Sequence, residues 1–87
     1  MKALHIVHGG IENGDKRWLE QAAENKLDSP SWVAPMSALP GDDVVIFVGG
    51  YGFFATARVT TMSKPRSDWK NRYGAGLTDI RLIMRIS

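Results

Sequence analysis

Residues 41–60, Gly-Asp-Asp-Val-Val-Ile-Phe-Val-Gly-Gly-Tyr-Gly-Phe-Phe-Ala-Thr-Ala-Arg-Val-Thr, leave few folds open to a chain of 87 residues. Val44 to Val48 run without a polar break, as in a strand apolar on both faces. Gly49, Gly50 and Gly52 flank Tyr51 and supply the positive-φ freedom that a tight reversal needs. Beyond the turn the chain alternates. Phe53, Ala55, Ala57 and Val59 are predicted to face one side, and Phe54, Thr56, Arg58 and Thr60 the other. Two alanines on the inner face imply a tightly curved sheet with little internal room. A central hairpin of a small barrel follows.

The length gives one domain, residues 1–87, near the size at which core burial is only just sufficient. With no cysteine, disulfides and thiolate metal ligation are both closed, and a reducing, cytoplasmic setting is expected. No apolar run reaches the roughly 20 residues of a membrane span, and the N-terminus has no signal-peptide pattern. Charge is segregated along the chain. Residues 1–43 hold four Lys/Arg against seven Asp/Glu, and residues 44–87 hold seven against two. The basic C-terminal half either presents a surface to a polyanion or is a solvated face without a partner.

Residues 3–8 read as a first strand ended by Gly9-Gly10. From Asp15 to Leu27, apolar Trp18, Leu19, Ala22, Ala23 and Leu27 share one helical face, capped by Asn13 or Asp15 and stopped at Asp28-Ser29-Pro30. Prolines 30, 35 and 40 break residues 28–43 into an irregular but packed segment. Residues 62–78 are predicted to be a long basic connection and Asp79 to Ile86 a last strand. A strand running to the terminus is what an N-terminal module of a longer protein would show. The fold class expected is α+β, mainly β: a curved sheet or pseudo-barrel of about five strands covered by one amphipathic helix.

Catalysis has little to stand on. His5 and His8 face opposite sides of a strand and cannot share a metal, so neither a metal nor another cofactor is expected. Nothing provides an activated nucleophile. The Gly49–Gly52 run leads into a strand, whereas phosphate loops lead into helices. No enzyme is expected within these residues. Binding residues are better represented. Trp18 belongs to the helix core face, and Trp32 is either packing or a pocket wall. Trp69 sits among Lys64, Arg66, Asp68, Lys70 and Arg72, as either a barrel cap or a stacking platform between phosphate contacts.

Taken in order, Gly41 to Phe47, Gly52 to Val59, Trp69 and Asp79-Ile80-Arg81 resemble the PUA-like superfamily, in its EVE and YTH branches. Gly14-Asp15-Lys16-Arg17 is similar to the YTH helix start, with Asp in place of Asn. The resemblance covers almost the whole chain through the order of several weak motifs. It implies a barrel that reads nucleic acid by enclosing one modified base, in modules that occur fused to HNH-type nucleases restricting methylated DNA. Carried over, the base pocket would be His8, Gly9, Gly10, Ser31, Trp32, Asp68, Trp69 and Tyr73, and the phosphate grip Lys64, Arg66, Lys70 and Arg72. Ala34-Pro35 departs from the polar pair that EVE domains carry there, leaving the base edge open. The function so implied is recognition of a modified base by flipping, modified cytosine in DNA being favoured over RNA. The alternatives are an RNA-binding module, or a protein-interaction or small-ligand barrel whose tryptophans plug its ends.

Overall fold

The computed structural model describes residues 2–10, 14–67 and 72–83. The elements are β1 (Leu4–Gly9), α1 (Asp15–Asn25), β2 (Ser29–Val33), β3 (Asp43–Val48), β4 (Gly52–Val59), β5 (Lys64–Pro65) and β6 (Tyr73–Leu82). The chain is mainly β, a five-stranded sheet curled into a half-barrel with one helix. Strand order is β1-β3-β4-β6-β2, and the two-residue β5 pairs with β6 off this path. β1 runs parallel to β3, and the remaining pairs are antiparallel. β1 and β2 are therefore the two ends of the curl.

The predicted central hairpin is β3 and β4. Val44, Ile46 and Val48 are fully buried and alternate with half-buried Val45 and Phe47, as a strand walled on both faces requires. Gly50 and Gly52 take left-handed φ values of 84° and 83° at the turn. Ala55, Ala57 and Val59 point into the core as expected, but Phe53 does not. Ile46 pairs with Ala55 and the next residue, Phe47, pairs with Phe53, so Phe54 is an extra residue in β4. This bulge reverses the alternation: Phe54 packs against the core, and Phe53 lies outside, edge-on to Phe47 at 5.6 Å. A second bulge lies between the Thr56–Arg81 and Arg58–Thr78 pairs, where Asp79 adopts φ 53°.

Three boundaries correct the sequence reading. Ser29–Val33, expected to be irregular, is a strand, because Trp32 and Val33 pair with Ala75 and Gly74 at a sheet edge that tolerates Pro30. The last strand begins at Tyr73, so residues 73–78 are not connection. Gly74 and Gly76 hide it from a propensity reading: extra Cβ atoms there would meet Ser31 and Arg66, or Thr60 and Thr61. The helix stops at Asn25, where Lys26 turns left-handed and the Lys26 and Leu27 amides both donate to Ala22 O. Leu27 is therefore exposed, and Leu19 and Ala22 carry the buried face against β6. Gly14 holds the N-cap position, with no side-chain cap bond among the described residues, and Asn13 lies outside them. The expected strand residues Met84 to Ile86 lie outside the described residues. Among those described, no helix is long and apolar enough to cross a membrane.

Candidate functional site

The half-barrel leaves a seam between β1 and β2, and a cleft of about 1060 Å³ opens there. One wall is the end of β1 from Ile6 to Gly10, and the facing wall is Ser29 to Met36. Asp15 and Trp18 close it from the helix, and Arg66, Arg72 and Tyr73 rim it. One bond that spans the seam is the Trp32 indole Nε1–H donating to the His8 carbonyl at 3.2 Å.

Trp32 is both core and wall. It is 8 % exposed and belongs to the buried cluster, while its ring also lines the cleft. Pairing with Ala75 across β2 and β6 leaves room for the indole, and Gly9 lets it approach β1. A Cβ on Gly9 would lie 3.2 Å from both Trp32 Cζ2 and Asp15 Cβ. Trp18 stands beside it, the two ring centroids 5.9 Å apart and tilted by 39°. The floor is thus a tilted pair of indoles, with half-buried Trp18 offering more open ring surface than Trp32.

Asp15 ties the start of α1 to the end of β1. Its carboxylate accepts from the Gly10 amide at 2.7 Å, and its own amide donates back to Gly10 O at 3.1 Å. The loop ends are thereby held across the helix start, where a carboxylate also suits the helix dipole. Neither His pairs with the other for a metal. His5 bonds through Nε2 to Asp42 Oδ2 at 2.8 Å, and exposed His8 lies edge-on to Phe47. Asp42 also accepts from the Leu39 and Ala3 amides. The His5 bond, then the Leu39 and Ala3 amides, holds its carboxyl below the ordinary carboxylate range. Among the described residues no cluster of His, Asp or Glu could hold a metal ion.

Of the residues expected at the pocket, His8, Gly9, Gly10, Ser31, Trp32 and Tyr73 all line the cleft, as do Arg66 and Arg72. Lys64 lines a neighbouring depression instead. Trp69, Asp68 and Lys70 lie outside the described residues. Sequence reasoning missed Asp15 and Trp18 at the cleft. The available signal was their position one helical turn apart (i, i+3) directly after a glycine-bearing loop from β1. An acidic group, two indoles, a phenol and two guanidinium groups around one opening can hold a flat, polar-edged, anionic ligand.

Fold and site together define a small, mainly β domain with an aromatic, arginine-rimmed cleft in an open barrel seam. No family model matches the chain, and no curated protein or solved structure matches it.

Proposed function

We propose that this chain is a PUA-like nucleic-acid reader that takes one unstacked base into the seam cleft, with modified cytosine in duplex DNA as its target. The observation that carries this reading is the juxtaposition of Trp18, Trp32 and Tyr73 with Arg66 and Arg72 around one cavity. Aromatic surface contributes about 1–3 kcal/mol per stacked base. Extrusion from a duplex costs a few kcal/mol, so arginine contacts to the backbone and a polar contact to the base are needed as well. Asp15 is the acceptor suited to an exocyclic amino group such as cytosine N4. Ser31 and Tyr73 bring hydroxyls to the same opening.

The test is fluorescence anisotropy on duplexes with and without one 5-methylcytosine, with matched RNA as a third arm. Wild type is expected to prefer the modified duplex, and Trp18→Leu to lose that preference by roughly 5–150-fold, the equivalent of one stacked ring. Arg72→Gln is expected to weaken both duplexes alike and to reduce the slope of log affinity against log salt by about 1. Equal wild-type affinity for the two duplexes overturns modified-base reading, tighter RNA binding moves the target to RNA, and a flat salt response removes nucleic acid altogether.

A further inference from the structure

A second depression of about 420 Å³ lies beside the cleft, on the far side of Pro30 and Ser31. Its polar lining is Ser31, Thr61, Lys64, Arg66 and Ser67, and among the described residues no carboxylate lines it. Thr61 Oγ1 already accepts from the Gly76 amide at 2.8 Å, so its hydroxyl proton is directed elsewhere. The lining is therefore rich in donors and carries two cations. Pro30, Ser31 and Arg66 line both cavities. The two meet over Gly74, where a Cβ would crowd Ser31 Oγ and lie 3.2 Å from Arg66 Cγ and Cδ. Glycine at this point lets the Arg66 stem and the Ser31 hydroxyl lie across β6 as a shared partition.

We infer that this depression is a phosphate subsite, holding the phosphodiester next to the base in the cleft, with Arg66 serving both. The inference rests on the nucleic-acid reading of the cleft and extends it: the ligand is a nucleotide chain crossing the Gly74 partition, not a free nucleoside. Donors without carboxylates select an anion, and a shared wall places that anion within one nucleotide of the base.

Titration of the full chain with 5-methyl-2′-deoxycytidine, a trinucleotide carrying the same base centrally, its unmethylated counterpart and inorganic phosphate tests this. Lys64→Gln is expected to weaken the trinucleotide about 3–10-fold, lower its salt slope by about 0.7 and leave the nucleoside unchanged. An unaltered trinucleotide affinity, or an equal loss for the nucleoside, overturns the inference. Inorganic phosphate binding as tightly as the trinucleotide would also overturn it, by assigning the depression to a free anion. The two readings fail separately. Absent discrimination between methylated and unmethylated trinucleotides with the Lys64 effect intact sinks the base pocket and supports the phosphate subsite. The reverse pattern sinks the subsite alone.

Discussion

Replacing Trp32 by phenylalanine isolates the bond that spans the seam, because a phenyl ring keeps an aromatic wall but cannot donate to His8 O at 3.2 Å. Two terms set the magnitude. Losing one neutral hydrogen bond costs about 0.5–1.5 kcal/mol, at the lower end here because exposed His8 lets its carbonyl rehydrate from the cleft. Shrinking indole to phenyl removes several tens of Å² of buried apolar surface, about 1 kcal/mol at 25 cal/mol per Å². The sum is about 1.5 kcal/mol, or roughly 6–12 °C in melting temperature for a domain of this size. Trp18→Phe is the control. That ring is half-buried and has no hydrogen bond to a described residue, so less than about 1 kcal/mol is expected. Urea denaturation followed by far-UV circular dichroism measures both. A Trp32→Phe protein within about 0.5 kcal/mol of wild type, or no weaker than Trp18→Phe, would refute the view that the indole holds β2 to β1.

Two further outcomes follow from the same geometry. Gly9→Ala is expected to cost about 1–3 kcal/mol through overpacking, since the new methyl meets Trp32 and Asp15 at 3.2 Å and both are pinned by hydrogen bonds. Gly49→Ala, with nothing within 4 Å, should change stability little by the same denaturation assay. The third concerns pH. The folded-state pKa of Asp42 is depressed, so its contribution is complete above the unfolded carboxylate value of about 3.9 and disappears as pH falls through the folded value. Melting curves should therefore show wild type losing stability more steeply than Asp42→Asn below about pH 5, and parallel loss in the two proteins would count against the network.

The hairpin was legible because β3 and β4 announce themselves by local chemistry: an unbroken apolar run, left-handed glycines and small inward residues. The helix was legible from its period, although its end was not. Nothing in the apolar pattern marks Lys26 as the residue that turns left-handed, so Leu27 was assigned to a face it does not join. β2 and the first half of β6 were illegible for a shared reason. Each is a strand only because of the other: Pro30 and Ser31 carry little strand propensity, and Gly74 and Gly76 carry less. The Phe53 reversal depends on a one-residue bulge, which alternation cannot reveal. At the site, Trp32 was legible as ambiguous between core and wall, and the fold makes it both. Trp18 and Asp15 were read as a core residue and a cap, since a helical wheel shows which face is buried but not which end of that face meets an opening.

The reason a cleft exists here lies in what prevents the barrel from closing. Zipping β1 to β2 would require both strands to exchange a ladder of N–H and C=O groups. Pro30 has no N–H to give, and the His8 carbonyl is already taken by an indole. Gly9, which would allow a backbone close enough to pair, instead admits the edge of that indole. The seam is walled by rings in place of a hydrogen-bonded ladder, and Asp15, Ser31 and Tyr73 line the opening beside them. Proline, glycine and tryptophan at the seam are one device: together they exclude the strand pairing that would fill the opening, and the same choices supply its flat apolar floor. A cleft built this way belongs to the folded half-barrel itself, because the stability of that fold already includes the unclosed edge.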